Sequence, residues 1–486
     1  MAQLPNLVLV TVDCLRADHV GWMGYPLPTT PFLDSLAPGS VTFDNAVVGG
    51  APTFYSLPCL LASRGPLAFG RDVVGLAPGE ANLASVLKQA GYHTAAFNAG
   101  NPYLSARFGY DQGFDRFEDF LHPDAPAQGL AEDRTPARMP WNERFGRFAR
   151  RLGFGDLYDD LYFQYMVRLR NRGPVSFDLL RCFPAADILV DHAQQWLESS
   201  GSPFFLWLHL MDPHGPYYPA AEALRLMRED LDPDAARYVN HYWNRRELDA
   251  GRLRKHRNTI VRLYDAGIRW VDTQLARLID HLEKAGLWGN CVFAFTADHG
   301  EEFLDHGSRF HSQWTGKEEL LKVPLLLRFP YGSVTGRNSS VFSHIDLAPT
   351  LLEAIGVSVP VEFRGRSYWR HITSSEDWEQ SAVVDCTEAI NPNRSADRMK
   401  PRVLCVRDKQ YKLIIRFGAR GEELYDLAID AAELRPLPPG AEPATRARLF
   451  RDAQKYLQRA PVGGSDLWLK AKLRDIRTEL LSPVET

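Results

Sequence analysis

Apolar runs with few polar positions, each followed by polar residues, are the main pattern along this chain. Three of them predict buried β-strands, over residues 6–12, 204–210 and 291–295. Amphipathic stretches over 185–199 and 258–285 predict long helices that lead into the second and third of these strands. Strands that are apolar without alternation are typical of sheets covered on both faces. The pattern therefore predicts an α/β fold with a mostly parallel central sheet flanked by helices.

Shorter segments extend this alternation through the rest of the chain. Helices are predicted over 31–36, 53–62, 82–90 and 346–355, and strands over 40–48, 93–97 and 323–329. After about residue 374 the strand-like segments follow one another closely, over 382–385, 403–407, 411–416 and 422–427, and further helices follow near 444–458 and 466–480. We expect a catalytic domain over 1–374 and a smaller C-terminal subdomain over 375–486 that contains an antiparallel sheet.

Composition narrows the class of protein. The chain has 486 residues, of which 45% are apolar and 24% charged, and its formal net charge is −4. These values are typical of an ordinary globular protein and give no electrostatic sign of nucleic-acid binding. No apolar run approaches the roughly 20 residues of a membrane span, and residues 1–5 lack the basic start of a signal peptide. The sequence therefore predicts a cytoplasmic protein without a transmembrane segment.

Residues 124–174 have a composition of their own, because many arginine and aromatic residues are mixed along them. One interpretation is a lid over an anionic substrate, or an amphipathic surface for a partner or a membrane. The plainer interpretation is a set of helices packed on the main domain with their arginines in solvent. The sequence leaves both open.

Polar residues follow the predicted strands where each one ends. Asp13 follows the first strand, His214 lies shortly after the second, and Asp298 and His299 follow the third. The carboxyl ends of parallel strands meet at one edge of a sheet, where α/β folds bind their ligands. Carboxylate and imidazole groups in such a place can hold a divalent metal, although Asp298 could instead cap a helix and His299 lie on the surface. The pattern predicts a metal site at this edge.

Several motifs together resemble the sulfatase branch of the alkaline phosphatase superfamily. They are Asp13 after the first strand and the segments 50–53 (GAPT), 91–94 (GYHT), 113–115 (GFD), 209–216 (HLMDPHGP), 298–301 (DHGE), 319–324 and 423–427. The match runs in order through most of the chain but leaves out the arginine-rich insertion and the last helices. The resemblance implies an alkaline-phosphatase-like sandwich with one essential metal beside a covalent nucleophile. It also implies a small-molecule ester of sulfate, phosphate or phosphonate as substrate.

The resemblance also implies a ligand set. Asp13, Asp298 and His299 match metal-ligand positions of the family, and the oxygen of Thr53 at the nucleophile position would complete the set. Many sulfatases have a second acidic ligand at the position of Cys14. An Asp, Asp, His and Thr set beside a thiol suits zinc or manganese better than calcium, which stays possible. A second metal is left open.

The nucleophile position departs from the sulfatase pattern. Sulfatases carry Cys or Ser in a C/S-x-P-x-R sequence that is oxidised to formylglycine, whereas Thr53 stands here and no formylglycine is expected. Threonine at this position resembles the nucleotide pyrophosphatase/phosphodiesterases and the lipid A phosphoethanolamine transferases. A hydroxyl bound to a divalent cation at a helix N-terminus loses its proton more easily. The alternative is that Thr53 only caps its helix.

Four further residues complete the predicted site. His214 and His311 match histidines of the transferases, and they could orient oxygens, protonate a leaving group or help to hold a second metal. Asn101 matches a substrate-contacting position, although Asn98 is close enough to take its place. Lys317 could neutralise a transferred group or simply be solvated.

The resulting prediction is a metal-dependent hydrolase of sulfate or phosphate esters that acts through a covalent ester of Thr53. A soluble transferase that passes the group to a small-molecule acceptor is the alternative, and a binding module that has lost catalysis is a third possibility. The sequence does not separate hydrolysis from transfer, and it leaves the oligomeric state open.

Overall fold

The computed structural model describes residues 4–69, 74–121, 151, 154–170, 175–311, 315–387, 402–417 and 421–459. The helix predicted near 466–480 and most of the insertion at 124–174 lie outside these ranges. Within them, no helix combines the length and the apolar character that a bilayer crossing requires.

The described strands are numbered in chain order. They are β1 (Asn6–Val12), β2 (Val41–Val47), β3 (Gly50–Ala51), β4 (His93–Asn98), β5 (Arg116–Glu118), β6 (Phe204–Leu210), β7 (Cys291–Ala297), β8 (Glu302–Phe303), β9 (Arg309–Phe310), β10 (Leu325–Arg328), β11 (Gly336–Ser343), β12 (Ala382–Thr387), β13 (Arg402–Arg407), β14 (Tyr411–Arg416) and β15 (Glu422–Asp426). The predicted strands are all among them, most within one or two residues at each end.

The larger sheet has the order β11-β2-β10-β7-β1-β6-β4-β5. Its neighbouring strands pair in parallel except where β10 pairs with β2 and β7. The central strands β1, β6 and β7 are buried along their whole length, which explains their nearly continuous apolar sequences. The mostly parallel sheet predicted from the sequence is confirmed.

Helices cover this sheet. They are α1 (Pro31–Leu36), α2 (Thr53–Ala62), α3 (Leu83–Gln89), α4 (Gly155–Arg170), α5 (Phe177–Leu180), α6 (Ala186–Ser199), α7 (Ala221–Leu226), α8 (Pro233–Trp243), α9 (Ala250–Lys284), α10 (Glu318–Leu321), α11 (Leu347–Ala354), α12 (Trp369–Ser374) and α13 (Pro443–Arg459). Helix α9 starts at Ala250, not at residue 258 as predicted, because Asp249 caps it by accepting the Arg252 N–H. The polar first turns of α9 lack the apolar periodicity on which the prediction depended.

The smaller sheet has the order β15-β14-β13-β12-β3. Strands β12 to β15 are antiparallel, as predicted for the C-terminal region, and α13 packs on them through Leu449 and Ala453. Strand β3 comes from the N-terminal part of the chain and pairs in parallel with β12. Because β3 ends two residues before Thr53, the smaller sheet supports the start of α2. The domain boundary near residue 374 stays a prediction.

Helix α4 is the described part of the insertion. Its Phe163 ring lies 5.9 Å from the rings of Tyr238 and Tyr242 on α8. Its Asp160 forms an ion pair with Arg252 of α9, at 2.6 Å. These contacts support the plainer interpretation for this segment, namely a helix packed on the main domain.

Candidate active site at the carboxyl ends of the central strands

Sheet register brings the first two predicted ligands together. Strands β1 and β7 pair so that Val12 lies opposite Ala297, and the next residues on each strand are Asp13 and Asp298. The Cys14 N–H donates to Asp298 Oδ1 at 3.2 Å, which holds the two strand ends side by side. Both carboxylates are fully buried. Two acids 285 positions apart thus share one site, as the strand pattern predicted.

The His299 ring is oriented by its own loop. Its Nδ1–H donates to the Gly300 carbonyl at 2.8 Å, so Nε2 carries a lone pair. Nε2 lies 3.5 Å from Asp298 Oδ2 and 3.9 Å from Asp13 Oδ1. Metal-binding histidines commonly donate the other ring N–H to a backbone carbonyl in this way. His299 is buried beside the carboxylates, so the alternative of a surface histidine is wrong.

Thr53 is the first residue of α2, and its hydroxyl points at the same group. Thr53 Oγ1 lies 3.1 Å from His299 Nε2 and donates to it in this tautomer. Pro52 occupies the N-cap position, and the helix has no side-chain cap, so Thr53 is not a capping residue. Ser56 Oγ donates to the Asp298 carbonyl at 2.5 Å, which fixes the start of α2 against the end of β7. This helix start therefore presents a hydroxyl between an imidazole and two carboxylates.

Two residues hold the far oxygen of Asp13. Asn101 Nδ2 donates to Asp13 Oδ2 at 2.9 Å, and His209 Nε2 lies 3.4 Å from the same oxygen. Asn98 instead donates to the Leu104 carbonyl, so Asn101 is the amide at this site. His209 was missed as a site residue. It is the one polar residue in the apolar strand β6, and its register opposite Thr11 of β1 could have indicated its position.

His214 and His311 form the opposite side of the site. Their ring centroids are 5.4 Å apart, and the His311 ring is 5.1 Å from that of His299. His311 Nδ1 lies 3.7 Å from both Glu301 Oε1 and Cys14 Sγ. The predicted pair of histidines therefore lies together, next to the predicted metal ligands.

Burial and neighbouring charges shift the pKa values of these groups in different directions. Burial disfavours the charged form of Asp13, but His214, His209 and His299 hold its pKa well below the usual value. Burial and the charge of Asp13 raise the pKa of Asp298. Burial opposes charging of His311, yet Glu301 outweighs it and raises the His311 pKa. Burial lowers the pKa of His214.

The donor set fits a divalent cation. Asp298 Oδ2 and Glu301 Oε1 are buried without a hydrogen-bond partner among the described residues. Candidate ligand atoms lie within 4.8 Å of one another in three overlapping groups: Asp13, Cys14 and His299; Asp13, His209 and Asp298; and Cys14, His214 and His311. Unpaired buried carboxylate oxygens are costly unless a proton or a cation compensates them. The geometry therefore brings candidate metal ligands together at the place that the strand ends predicted.

Lys317 contacts a different region. Its Nζ donates to the Tyr425 hydroxyl at 2.7 Å and lies 3.4 Å from Glu423 Oε2, both on β15. The buried ammonium group thus joins the start of α10 to the smaller sheet. These contacts do not support the predicted role of Lys317 as a substrate-binding cation.

Sequence comparison gives two family matches. The model described as Sulfatase matches residues 5–357, and the one described as N-sulphoglucosamine sulphohydrolase, C-terminal, matches residues 307–449. The chain is 24% identical to an N-acetylglucosamine-6-O-sulfatase of Bacteroides thetaiotaomicron, with 93% of this chain and 86% of that protein covered. It is 25% identical to the multifunctional alkaline phosphatase superfamily protein PehA of Trinickia caryophylli, with 93% and 94% covered.

Solved structures agree on the fold. One is a protein in complex with its substrate D-glucosamine-2-N,6-O-disulfate, with a TM-score of 0.66, 20% identity, and coverage of 94% of this chain and 98% of that one. Another is the phosphonate monoester hydrolase of Agrobacterium radiobacter, with a TM-score of 0.62, 20% identity, and 94% and 95% covered. The Sulfatase match spans well over half of the chain. This protein therefore belongs to the sulfatase family of ester-hydrolysing enzymes, within the alkaline phosphatase superfamily.

Proposed function

We propose that this protein hydrolyses phosphate or sulfate esters of small molecules through a covalent ester on unmodified Thr53. The observation that carries the proposal is the Thr53 hydroxyl, 3.1 Å from His299 Nε2 at the N-terminus of a ten-residue helix. Two buried carboxylates lie near the same Nε2, Asp298 at 3.5 Å and Asp13 at 3.9 Å. A hydroxyl in this setting serves as a nucleophile, whereas formylglycine chemistry would need a Cys or Ser at position 53.

The metal ligands of the proposal are Asp13, Asp298, His299 and the Thr53 oxygen. The unpartnered Asp298 Oδ2 and the lone pair on His299 Nε2 support this set. When bound, a divalent cation would lower the pKa of the Thr53 hydroxyl and offset charge on the transferred group. We favour zinc or manganese, because Cys14 takes the place of a further oxygen ligand and calcium prefers six to eight oxygens.

The side chains divide the remaining work. Thr53 Oγ releases its proton to solvent and forms a bond to phosphorus or sulfur, while the bond to the leaving oxygen breaks; the Thr53 oxygen takes a proton back when the ester is later hydrolysed. His311 gives that oxygen a proton, since Glu301 favours its charged form. Burial keeps His214 neutral, so His214 accepts a proton from the water that then attacks the Thr53 ester. The amides of Thr53 and Phe54, which precede the two that donate to the Pro52 carbonyl, bind the non-bridging oxygens.

Threonine favours phosphoryl over sulfuryl transfer. A formylglycine enzyme expels sulfate by collapse of a hemiacetal, a route that a threonine ester lacks. A phosphorylated threonine can be hydrolysed by in-line attack of water at phosphorus. Transfer to a small-molecule acceptor differs only in which hydroxyl or amine attacks the Thr53 ester, so it remains the alternative.

Intact-protein mass measurement tests this proposal. Wild type is incubated separately with an aryl sulfate, an aryl phosphate and a bis-aryl phosphate, beside Thr53→Ala and the control Ser56→Ala. We expect a mass increment on wild type and Ser56→Ala with a phosphoryl substrate, mapped to residue 53, and none on Thr53→Ala. Turnover by Thr53→Ala at the wild-type rate would refute the proposal. Product release that depends on an added alcohol or amine would favour transfer over hydrolysis.

A further inference from the structure

A second group of potential metal ligands lies outside the active site. It consists of Glu302 on β8, His306 in the following turn and Glu319 in the first turn of α10. Their ligand atoms lie within 4.8 Å of one another. Glu302 is completely buried, and the side chains of Glu319 and His306 are only 7% and 15% exposed. The group is therefore an enclosed site, unlike an acidic patch on the surface.

Glu302 lacks the compensation that a buried carboxylate needs. Neither of its oxygens has a hydrogen-bond partner among the described residues. Burial and the negative charge of Glu319 raise its pKa to about 9, although the nearby Thr315 hydroxyl works in the opposite direction. An ionised carboxylate in this position is unfavourable without a cation. The position thus calls for a bound positive charge, either a proton or a metal ion.

His306 is oriented as a ligand would be. Its Nε2 lies 2.9 Å from the Ala432 carbonyl, which can only accept, so Nε2 carries the proton. Its Nδ1 lies 2.5 Å from Glu319 Oε1, and this hydrogen bond raises the pKa of His306, so a bound cation would take the place of the Nδ1 proton. A histidine that donates one ring N–H to a backbone carbonyl and turns the other nitrogen toward carboxylates has the usual orientation of a metal ligand.

Cationic side chains from the neighbouring segments are paired with other acids. Arg16 and Arg257 both pair with Asp305, at 2.8 Å and 3.0 Å. Lys317 donates to Tyr425 and faces Glu423. These contacts leave Glu319 paired with His306, and Glu302 without a cationic partner among the described residues.

We propose that Glu302, His306 and Glu319 bind a structural divalent metal ion, zinc by ligand type, that is distinct from the catalytic metal. Two carboxylates balance the charge of the ion, and one imidazole is typical of zinc. Zinc–ligand bonds of roughly 2 Å place ligand atoms about 3–4 Å apart, so small side-chain rotations complete the site. The ion joins β8, which directly follows the Asp298-His299 segment, to α10 and through His306 to the Ala432 segment. It stabilises the loop that carries the catalytic pair.

Counting bound zinc tests the proposal without using activity. Full-length protein is stripped with a chelator, reloaded with Zn²⁺, desalted and analysed by mass spectrometry for metal content. The variants are Asp298→Asn, Glu302→Gln and Glu319→Gln, the last two also combined with Asp298→Asn. Asp305→Asn is the matched control, because this neighbouring carboxylate is outside the group. We expect Asp298→Asn to retain one zinc per chain, and its combination with Glu302→Gln or Glu319→Gln to retain none.

Thermal unfolding provides a second measurement. Zn²⁺ should raise the melting temperature of Asp298→Asn and of Asp298→Asn with Asp305→Asn, but not of Asp298→Asn with Glu302→Gln or Glu319→Gln. If the zinc count of Asp298→Asn stays the same when Glu302→Gln or Glu319→Gln is added, the proposal is overturned. Two other results would also overturn it: loss of the retained zinc when Asp305→Asn is added to Asp298→Asn, or no zinc in Asp298→Asn itself. In those cases Glu302 holds a proton. Failure of the catalytic proposal would appear separately, as equal zinc counts in wild type and Asp298→Asn.

Discussion

Two buried groups of charged residues in this protein differ in how their charges are matched. In the active site Asp13 and Asp298 lie side by side, and Asp298 Oδ2 has no hydrogen-bond partner among the described residues. Between the two sheets, Glu318 pairs with Arg407 and with Lys412, each at 3.0 Å. Both groups are buried, so burial does not explain the difference. The charge of the neighbouring side chains explains it.

The same burial shifts the pKa values of the two acids in opposite directions. Burial disfavours the charged form of Glu318, but Arg407 and Lys412 outweigh it and lower its pKa to about 2. Burial raises the pKa of Asp298, and the neighbouring Asp13 raises it further. Matched buried charges hold the fold together, whereas an excess of one sign leaves a place for a ligand of the other. The Glu302 group resembles the active site in this respect.

The largest expected effect is that of Asp298→Asn on activity. Loss of a proposed metal ligand should lower kcat/KM for an aryl phosphate ester by about 10³-fold or more. In metal-free protein the same change removes one of two adjacent negative charges, so the melting temperature should stay equal or rise. Steady-state kinetics and thermal unfolding in chelator measure both. A lower melting temperature of the metal-free variant would show that the negative charge of Asp298 is compensated in the metal-free wild type.

Glu318→Gln should have the reverse profile. It leaves the buried Arg407 without its carboxylate and Lys412 with Glu433 alone, and breaking a buried pair in this way costs about 3–5 kcal/mol of unfolding free energy. Denaturant unfolding measures the loss, and the double variant Glu318→Gln with Arg407→Met, which also removes the stranded cation, should recover part of it. A loss below about 1 kcal/mol, as for a surface pair, would contradict the structural role.

Low pH should weaken the ion pairs that Glu318 forms with Arg407 and Lys412. The folded-state pKa of Glu318, about 2, is below its ordinary value of 4.5, so its contribution is complete above pH 4.5 and is lost as the pH falls toward 2. The stability difference between wild type and Glu318→Gln should therefore be largest at neutral pH and shrink below pH 4.5. Unfolding measured over a pH series checks this. A constant difference would mean that the charge of Glu318 is not what stabilises the fold.

The smallest effect concerns metal preference. Cys14→Asp places an oxygen ligand where many sulfatases have one, beside Asp13 and His299. Hard cations prefer carboxylate and zinc tolerates thiolate, so the ratio of activity with manganese or calcium to activity with zinc should rise by about tenfold. Cys14→Ser serves as the control that removes the thiol without adding a charge. An unchanged ratio would place Cys14 outside the metal environment.

Much of the fold followed from local sequence. The nearly continuous apolar runs of β1, β6 and β7 predicted strands close to their observed bounds, because strands covered on both faces have few polar positions and no alternation. The start of α9 was predicted at residue 258 instead of Ala250, since its first turns are polar and depend on the Asp249 cap.

The grouping of Asp13, Thr53, Asp298 and His299 was also predictable, for a related reason. The carboxyl ends of adjacent parallel strands must lie at one edge, so residues that directly follow them come together whatever the helices between them do. Thr53 depended on the family resemblance, and its helix start is supported by β3 in the smaller sheet.

Only the tertiary structure decided contacts that cross between elements without such a rule. His209 reaches Asp13 through the register of β1 with β6, and Lys317 contacts Tyr425 of the smaller sheet. Glu302 comes close to Glu319 where the Glu301 N–H donates to the Glu319 carbonyl. The sequence by itself determined where strands end and which polar residues follow them. Side-chain pairing depends on register and helix packing over long separations, so it required the folded molecule.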